Sequence, residues 1–275
     1  MSQADPAPDR APILEVKGIT RRFGGLVALS EVSFSINKGE IYGLIGPNGA
    51  GKTTLFNVLT GIYRQDEGEF RFEGALLRNA TPDRIARLGI ARTFQNIRLF
   101  ANLSALENVM IGRHVRTRAG VFGAILRGPG TRAEERAIEN RAHELLDYVG
   151  VGDRGNELAK HLSYGDQRRL EIARALAAKP ALLLLDEPFA GLGSAEIADL
   201  SALIRKVHGD EGLTVVLIEH KLREFMRLVD RVVALDFGEI IATGLPDDIV
   251  RHPAVIEAYI GRDNDVSPAA SSHAA

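Results

Sequence analysis

Hydrophobic and polar positions follow two different periods along this chain. Short apolar runs separated by Gly-Gly and Lys-Gly turns dominate residues 13–45, a pattern typical of strands. Residues 103–160 are predicted to be mostly helical, most clearly at Glu134–Leu146. From Leu182 onward, strands alternate with helices. The predicted strands are 13–16, 32–36, 41–45, 69–72, 182–186, 213–218, 231–235 and 239–243, and the predicted helices outside the central block are 51–60, 168–178, 195–207 and 221–228. This alternation predicts an α/β fold with a mainly parallel sheet.

Composition excludes several classes of protein. The 275 residues contain no cysteine, which excludes a disulfide scaffold, a thiolate zinc site and a cysteine nucleophile. A net charge of −2 argues against binding to nucleic acid. No apolar run is long enough to cross a bilayer. Residues 1–12 are predicted to be a disordered arm and residues 262–275 a flexible tail.

A phosphate-binding motif follows the predicted strand 41–45. The segment Gly46–Thr53 fits G-x-x-x-x-G-K-[ST] and precedes a predicted helix, the context that this motif requires. Backbone N–H groups of such a turn converge on phosphate oxygens, Lys52 adds a full positive charge, and the Thr53 hydroxyl can ligate Mg²⁺. The predicted nucleotide contacts here are Asn48, Gly49, Ala50, Gly51, Lys52, Thr53 and Thr54.

An acidic pair follows four leucines at 182–185. A strand of this composition is buried on both faces, so Asp186 emerges at its carboxyl end, where α/β sheets bind ligands. Asp186 is predicted to hold Mg²⁺, and Glu187 to orient or deprotonate an attacking water. An ordinary surface turn is the alternative. A guanine-reading motif is absent after the phosphate motif, and a carboxylate pair favours water as nucleophile over a small-molecule acceptor.

A third motif, Leu162–Gln167, precedes the Asp186 strand by about twenty residues. With it, the chain resembles the ATP-binding subunits of ATP-binding-cassette (ABC) transporters over about residues 13–261. The resemblance implies that Phe23 stacks on adenine, that Gln95 is the glutamine of the Q-loop with catalytic and metal-binding roles, and that His220 is the switch histidine at the γ-phosphate. It also implies ATP and Mg²⁺ as cofactors and ATP hydrolysis as the activity.

The same resemblance implies a more detailed architecture. The expected fold is the P-loop ABC ATPase, with an antiparallel β subdomain and a helical subdomain, about residues 95–178, inserted in the core. The segment 163–174 and the ending 252–261 look like those of the longer ATPase subunit of bacterial branched-chain amino-acid importers. Such a subunit is expected at the cytoplasmic face of the inner membrane, with integral permeases contacted near 95–106, a second ATPase subunit, and indirectly a periplasmic binding protein. An importer or exporter of another solute, a soluble ABC ATPase, and a module that binds ATP without hydrolysis stay open.

Two helix N-termini of this chain are suited to phosphate. One follows the Gly46–Thr53 motif, and the other follows Ser163 and Gly165. Ser163 can also act simply as a helix cap. Since one bound ATP needs only the first site, head-to-tail pairing would let the second complete the site of another subunit, in a homodimer or a heterodimer.

Three features depart from the family pattern or add to it. Asp166 replaces the usual signature glutamine, and we expect its carboxylate to point away from phosphate, toward Arg168 or Arg169. Gly193 stands where the D-loop usually has Asp or Asn, which predicts weaker coupling between the two ATP sites. The basic segment 113–136 could lie against the permease or lipid headgroups, although a solvated loop is the commoner explanation.

Overall fold

The computed structural model describes residues 12–113 and 129–260, with the side chains of 129–133 left out of the description. The predicted tail at 262–275, all of the predicted arm except Pro12, and most of the basic segment 113–136 lie outside the described residues. Pro12 belongs to the first strand.

An antiparallel sheet of four strands is built mainly from the first part of the chain. Its strands are β1 (Pro12–Phe23), β2 (Leu26–Asn37), β4 (Glu67–Phe72) and β5 (Ala75–Leu76), in the order β2-β1-β4-β5. The strands β1 and β2 extend well beyond the apolar runs that predicted them, because solvent-facing residues interrupt the apolar pattern in the added parts, where even Phe23, Leu26 and Val27 are exposed.

The second sheet has six strands and carries the predicted α/β pattern. They are β3 (Ile41–Ile45), β6 (Ile90–Arg92), β7 (Leu182–Asp186), β8 (Thr214–Ile218), β9 (Arg231–Asp236) and β10 (Glu239–Gly244), in the order β10-β9-β3-β8-β7-β6. Every neighbouring pair is parallel except β9 and β10. The prediction of a mainly parallel sheet is confirmed. The short edge strand β6 was not predicted.

Helices surround the sheets. They are α1 (Lys52–Leu59), α2 (Pro82–Leu88), α3 (Ala105–Arg113), α4 (Pro129–Val149), α5 (Tyr164–Ala177), α6 (Ser194–Glu211), α7 (Leu222–Leu228), α8 (Pro246–Val250) and α9 (Pro253–Ile260). Helices α3, α4 and α5 pack on one another. No helix in the described ranges combines the length and the apolar character needed to cross a bilayer.

The predicted helical block at 103–160 is only partly helical. It contains α3 and α4, but the segment between α4 and α5 has only short 3-10 turns at Gly152–Arg154 and Ala159–His161. Helix α5 begins at Tyr164 and not at Arg168, because Ser163 caps it by accepting the backbone N–H of Asp166. The signature motif is therefore the first turn of this helix.

Two apolar cores lie on the two faces of the six-stranded sheet. Along β3, Ile41 and Ile45 belong to the core shared with α5 and α6, whereas Tyr42 and Leu44 belong to the core shared with α1 and the antiparallel sheet. A strand covered on both faces reads as a continuous apolar run, which explains the leucine run of β7. The sheet thereby fixes the carboxyl ends of β3, β7 and β8 beside one another.

Candidate functional site

The phosphate motif forms the turn between β3 and α1. Gly51, the residue before α1, has a φ of 102°, and a Cβ there would lie 2.6 Å from the Ala28 carbonyl oxygen. At Gly46 a Cβ would lie 2.2 Å from the Leu235 carbonyl oxygen. Both positions therefore need glycine, and the turn can bring its N–H groups to the N-terminus of α1.

Lys52 is buried at the start of α1. Its ammonium donates to the carbonyl oxygens of Gly46 at 2.6 Å and Pro47 at 2.9 Å. These contacts hold the positive charge inside the turn. Thr53, the next residue, is exposed. The turn thus combines a cation, a helix N-terminus and a hydroxyl, the set that the sequence predicts for phosphate and Mg²⁺.

A cavity of about 490 Å³ lies over this turn. Phe23 stands at its rim, 38% exposed, with its ring packed edge-on against Tyr63 and the Arg21 guanidinium 4.6 Å from its centroid. This position suits the predicted contact with a base. The cavity is lined by Phe23, Leu26, Val27, Ala28, Asn48, Gly49, Ala50, Gly51, Lys52, Thr53, Thr54, Gln95, Glu187, His220 and Phe237.

Three predicted catalytic side chains meet at the wall of this cavity. The Glu187 carboxylate lies 2.7 Å from His220 Nε2 through one oxygen, and accepts the Gln95 side-chain amide at 2.8 Å through the other. Glu187 follows β7, His220 comes just after β8, and Gln95 follows β6, so the parallel register of the sheet brings them together. Glu187 has a φ of 48°, an uncommon conformation for a residue with a side chain.

Asp186 lies just behind this cluster, at the end of β7. Its Oδ2 pairs with Arg92 at 2.7 Å, and the two side chains are 2% and 5% exposed. Its other carboxylate oxygen, Oδ1, is buried and has no hydrogen-bond partner. Burial lowers the pKa of Arg92, and the bond to Asp186 opposes that shift. The sequence does not reveal Arg92, because β6 was not predicted and its pairing with β7 is a contact between distant segments.

The signature residues lie apart from the cavity. The Ser163 hydroxyl donates to Asp166 Oδ2 at 2.8 Å, and neither Ser163 nor Gly165 lines the cavity. The expected partner of Asp166 is wrong: its carboxylate lies 3.5 Å from the Arg154 guanidinium and not beside Arg168 or Arg169. Arg154 is brought there by the 3-10 turn at Gly152–Arg154.

Arg168 instead supports the Q-loop. It is buried, donates to the backbone carbonyl oxygens of Phe94 at 2.9 Å and Gln95 at 2.6 Å, and pairs with Glu171 at 3.1 Å. Burial raises the pKa of Glu171, and the Arg98 N–H and Arg168 oppose that shift. Helix α5 is thereby bonded to the segment that carries Gln95.

Gly193 precedes helix α6 and donates its N–H to Glu196 Oε2 at 2.9 Å. Its φ is −76°, and an added Cβ would meet only that carboxylate, at an ordinary 3.6 Å. The backbone here does not require glycine, so the departure from Asp or Asn removes a side chain without a conformational reason.

Tyr259 is another supporting residue that the sequence does not reveal, and it contacts the phosphate motif. The N–H of Gly46 donates to the Tyr259 hydroxyl at 2.9 Å, and Tyr259 belongs to α9, close to the end of the described chain. Burial raises the pKa of Tyr259, and the N–H of Gly46 opposes that shift. Helix α9 thus supports the first residue of the phosphate turn.

Three features define a P-loop nucleoside triphosphatase: a glycine-rich turn between a buried parallel strand and a helix, a buried lysine in that turn, and an Asp-Glu pair at the end of β7, which β8 separates from β3.

Comparison with known proteins narrows this class. The family model described as "ABC transporter" matches residues 29–190, and one described as "Branched-chain amino acid ATP-binding cassette transporter" matches residues 239–265. The chain belongs to the ABC transporter family and is an ABC-type ATPase.

Curated relatives agree with this assignment. The chain is 42% identical over 250 residues to the high-affinity branched-chain amino acid transport ATP-binding protein BraF of Pseudomonas aeruginosa, covering 91% of this chain and 98% of that protein. It is 40% identical, with the same coverage, to the high-affinity branched-chain amino acid transport ATP-binding protein LivG of Escherichia coli K12.

Solved structures share the fold. A nucleotide-free ATP-binding cassette from an ABC transporter is 32% identical with a TM-score of 0.81, covering 91% of this chain and 100% of that one. An ATP-binding cassette solved as a dimer in a post-hydrolysis state with ADP and phosphate is 27% identical with a TM-score of 0.72, covering 85% of this chain and 98% of that one. The predicted P-loop ABC ATPase fold is confirmed.

Proposed function

We propose that this chain is the ATP-hydrolysing subunit of a bacterial ABC importer for branched-chain amino acids. The observation that carries the proposal is the Glu187 carboxylate, held between His220 and Gln95 at the wall of the cavity above the phosphate turn. The two relatives named for branched-chain amino-acid transport, and the matching family model at residues 239–265, support the solute class.

In the proposed reaction, each residue has a distinct task. The N–H groups of the phosphate turn and Lys52 bind the phosphates of ATP, and Phe23 contacts the adenine. Water attacks the γ-phosphorus, the bond to the β-phosphate oxygen breaks, and Glu187 orients the water and accepts its proton. His220 and Gln95 hold the two oxygens of that carboxylate.

The residues present fit Mg²⁺ as the second cofactor. The proposed ligand set is Thr53, Gln95 and Asp186. Asp186 has a buried carboxylate oxygen without a hydrogen-bond partner, a group that costs free energy unless something satisfies it. When bound, the ion would neutralise charge on the phosphate oxygens.

We propose that the working unit is a head-to-tail dimer with a second ATPase subunit. Ser163 and Gly165 stand at the N-terminus of α5, outside the chain's own cavity, where they can meet the phosphates held by a partner. ATP would then favour the closed pair, and hydrolysis would release it.

The remaining proposals follow from the assignment of this chain as a subunit of an importer. The ATPase domain is residues 13–261, with a helical subdomain at about 95–178. Integral permeases contact it near 95–106, a periplasmic binding protein acts indirectly, and the subunit lies peripherally at the cytoplasmic face of the inner membrane. We expect no role for nucleic acid.

The decisive experiment compares Glu187→Gln with the wild type in the purified complex. Loss of the proton acceptor should lower the rate of ATP turnover by about 10²- to 10⁴-fold and leave nucleotide affinity within about threefold. Glu144→Gln, at an exposed carboxylate that pairs with Arg141, is the matched control and should retain turnover. Wild-type turnover in Glu187→Gln would remove Glu187 as the base.

An importer for another solute is the second candidate. The chain is 34% identical to a putative ribose/galactose/methyl galactoside import ATP-binding protein of Burkholderia ambifaria, of whose length it covers 49%. Uptake by the reconstituted complex over a panel of amino acids and sugars tests this alternative. Transport of sugars without leucine, isoleucine or valine would reject the first candidate.

A further inference from the structure

Glu219 is a buried carboxylate that the proposed reaction does not use. It lies between β8 and the switch residue His220, and the residue is 2% exposed. Within residues 12–113 and 129–260, no lysine, arginine or histidine nitrogen forms an ion pair with it. A buried charge without a cation is expensive and persists only if hydrogen bonds compensate it.

Backbone N–H groups supply that compensation. One carboxylate oxygen accepts the N–H of Phe189 at 2.5 Å, the other accepts the N–H of His220 at 3.1 Å, and the N–H of Lys221 also bonds the group. Burial raises the pKa of Glu219, and the nearby Glu187 charge raises it further. The three hydrogen bonds lower the pKa and so oppose both effects. The hydrogen bonds favour the charged form.

These bonds join the two segments that carry the catalytic pair. Phe189 lies two residues after Glu187, whose φ of 48° costs free energy for a residue with a Cβ. His220 belongs to the segment after β8. The Glu219 carboxylate thus connects the backbones of the two segments. The same two segments also meet through the side chains of Glu187 and His220, which lie 2.7 Å apart.

A second bond spans the same gap. The ammonium of Lys221 donates to the carbonyl oxygen of Leu192 at 2.9 Å. This bond is part-buried, as is the bond from the His220 N–H to Glu219, whereas the bond from the Phe189 N–H to Glu219 is buried and therefore better shielded from competition by water. The buried carboxylate is the stronger constraint on the geometry of the pair.

We propose that Glu219 is a positioning residue that sets the contact between the Glu187 carboxylate and the His220 ring. This inference rests on the proposed function. Glu219 does not line the cavity, so its effect on catalysis passes through the backbones of Phe189 and His220 and through its charge near Glu187.

Glu219→Gln tests the proposal with little change in shape. The glutamine places an NH₂ group where one carboxylate oxygen accepts an N–H, so at least one of the three bonds must break. We expect kcat per nucleotide-binding site to fall by about 10- to 100-fold, as for a displacement of about 1 Å. The KM for ATP should change by less than about threefold, because the phosphate turn is untouched.

Thr214→Val is the matched control. Thr214 is fully buried at the other end of β8 and accepts the N–H of Gly39 at 2.9 Å through its hydroxyl. The variant also removes a part-buried hydrogen bond to a loop N–H, so it should lower the free energy of unfolding while keeping kcat within about twofold. Counting sites by titration with a fluorescent ADP corrects both variants for unfolded protein.

A readout that needs no hydrolysis separates this proposal from the proposed function. In full-length protein with ¹³C-labelled histidine, the ring signal of His220 should move in Glu219→Gln and in Glu187→Gln, and should stay in place in Thr214→Val. If Glu219→Gln fails to fold, Glu219→Asp keeps the charge but shortens the side chain by one methylene, and the same changes are expected.

The outcomes are distinct. A wild-type kcat in a folded Glu219 variant, or a His220 signal that does not move, overturns the positioning role. The double variant Glu219→Gln/Glu187→Gln gives a further test, because the effects of residues that act as one unit are not additive. If Glu219→Gln lowers kcat by the same factor in the Glu187→Gln background as in the wild type, the positioning role is also overturned. Wild-type protein without ATPase activity would refute the proposed function, while the His220 signal would still test the geometry.

Discussion

The buried pair of Arg92 and Asp186 predicts a large effect on the stability of the protein. Arg92→Met keeps most of the apolar stem but removes the guanidinium, which lies 2.7 Å from Asp186, donates to Asn57 at 2.6 Å, and lies over the ring of Phe94 at 4.9 Å. Both oxygens of the Asp186 carboxylate would then lack a hydrogen-bond partner, because Oδ1 has none in the wild type.

Leaving such a charge buried costs about 3–5 kcal/mol, a large part of the 5–15 kcal/mol typical of a folded protein. Arg92→Lys keeps a positive charge but loses the planar fork, so it should fall between the wild type and Arg92→Met. The free energy of unfolding is measured by urea denaturation without nucleotide or metal.

An exposed pair in the same chain supplies the control. Arg22 and Glu67 lie 2.6 Å apart, with side chains 46% and 57% exposed. Arg22→Met should cost less than about 1 kcal/mol, because water screens the pair. Equal losses in Arg22→Met and Arg92→Met would refute the argument from burial, as would a loss below about 1 kcal/mol in Arg92→Met.

Two further effects concern other buried groups. Tyr259→Phe leaves the N–H of Gly46 without its acceptor and should destabilise the protein by about 1–3 kcal/mol. The control, Tyr148→Phe, removes a hydroxyl that bonds the exposed Asp210 and should cost less. Equal unfolding midpoints for the two variants would contradict this. The raised pKa of Glu171 means that the folded state binds its proton more tightly than the unfolded state, so wild-type stability should fall relative to Glu171→Gln as the pH rises from the ordinary value of 4.5 through the raised one. Urea denaturation from pH ~4 to ~8 measures this, and a difference that is constant or opposite in sign would contradict it.

The sequence predicts the parts of this molecule that local pattern determines. The sheet strands at 41–45 and 182–186 are predicted with their observed bounds, because both are short apolar runs that end at a polar motif. The polar ends of β1 and the start of α5 were placed wrongly. In the first case solvent-facing residues hide the strand, and in the second the cap residue and not the apolar pattern sets the boundary.

Contacts between distant segments could not be predicted in this way. Motif order places Glu187, His220 and Gln95 in one site, but the supporting residues Arg92 and Glu219 carry no motif. Their roles depend on strand register, which pairs β6 with β7 and β7 with β8. The wrong partner for Asp166 has the same origin: Arg154 is twelve residues away and reaches it only through an irregular segment.

The contacts within the site indicate what nucleotide binding must replace. Lys52 bonds two carbonyl oxygens of its own turn, Asp186 pairs with Arg92, and Glu187 is held by His220. Each charge is therefore balanced by the protein itself, which lowers the cost of burying it. When phosphate oxygens bond Lys52, they replace its bonds to the two carbonyl oxygens. The free energy gained is the difference between the new bonds and the old ones, so the affinity of the turn for ATP depends on that exchange and not on the lysine charge alone. Because Asp186 retains an unsatisfied oxygen while Glu187 has both oxygens bonded, a metal ion gains more at Asp186, and the two adjacent carboxylates are thereby suited to different tasks.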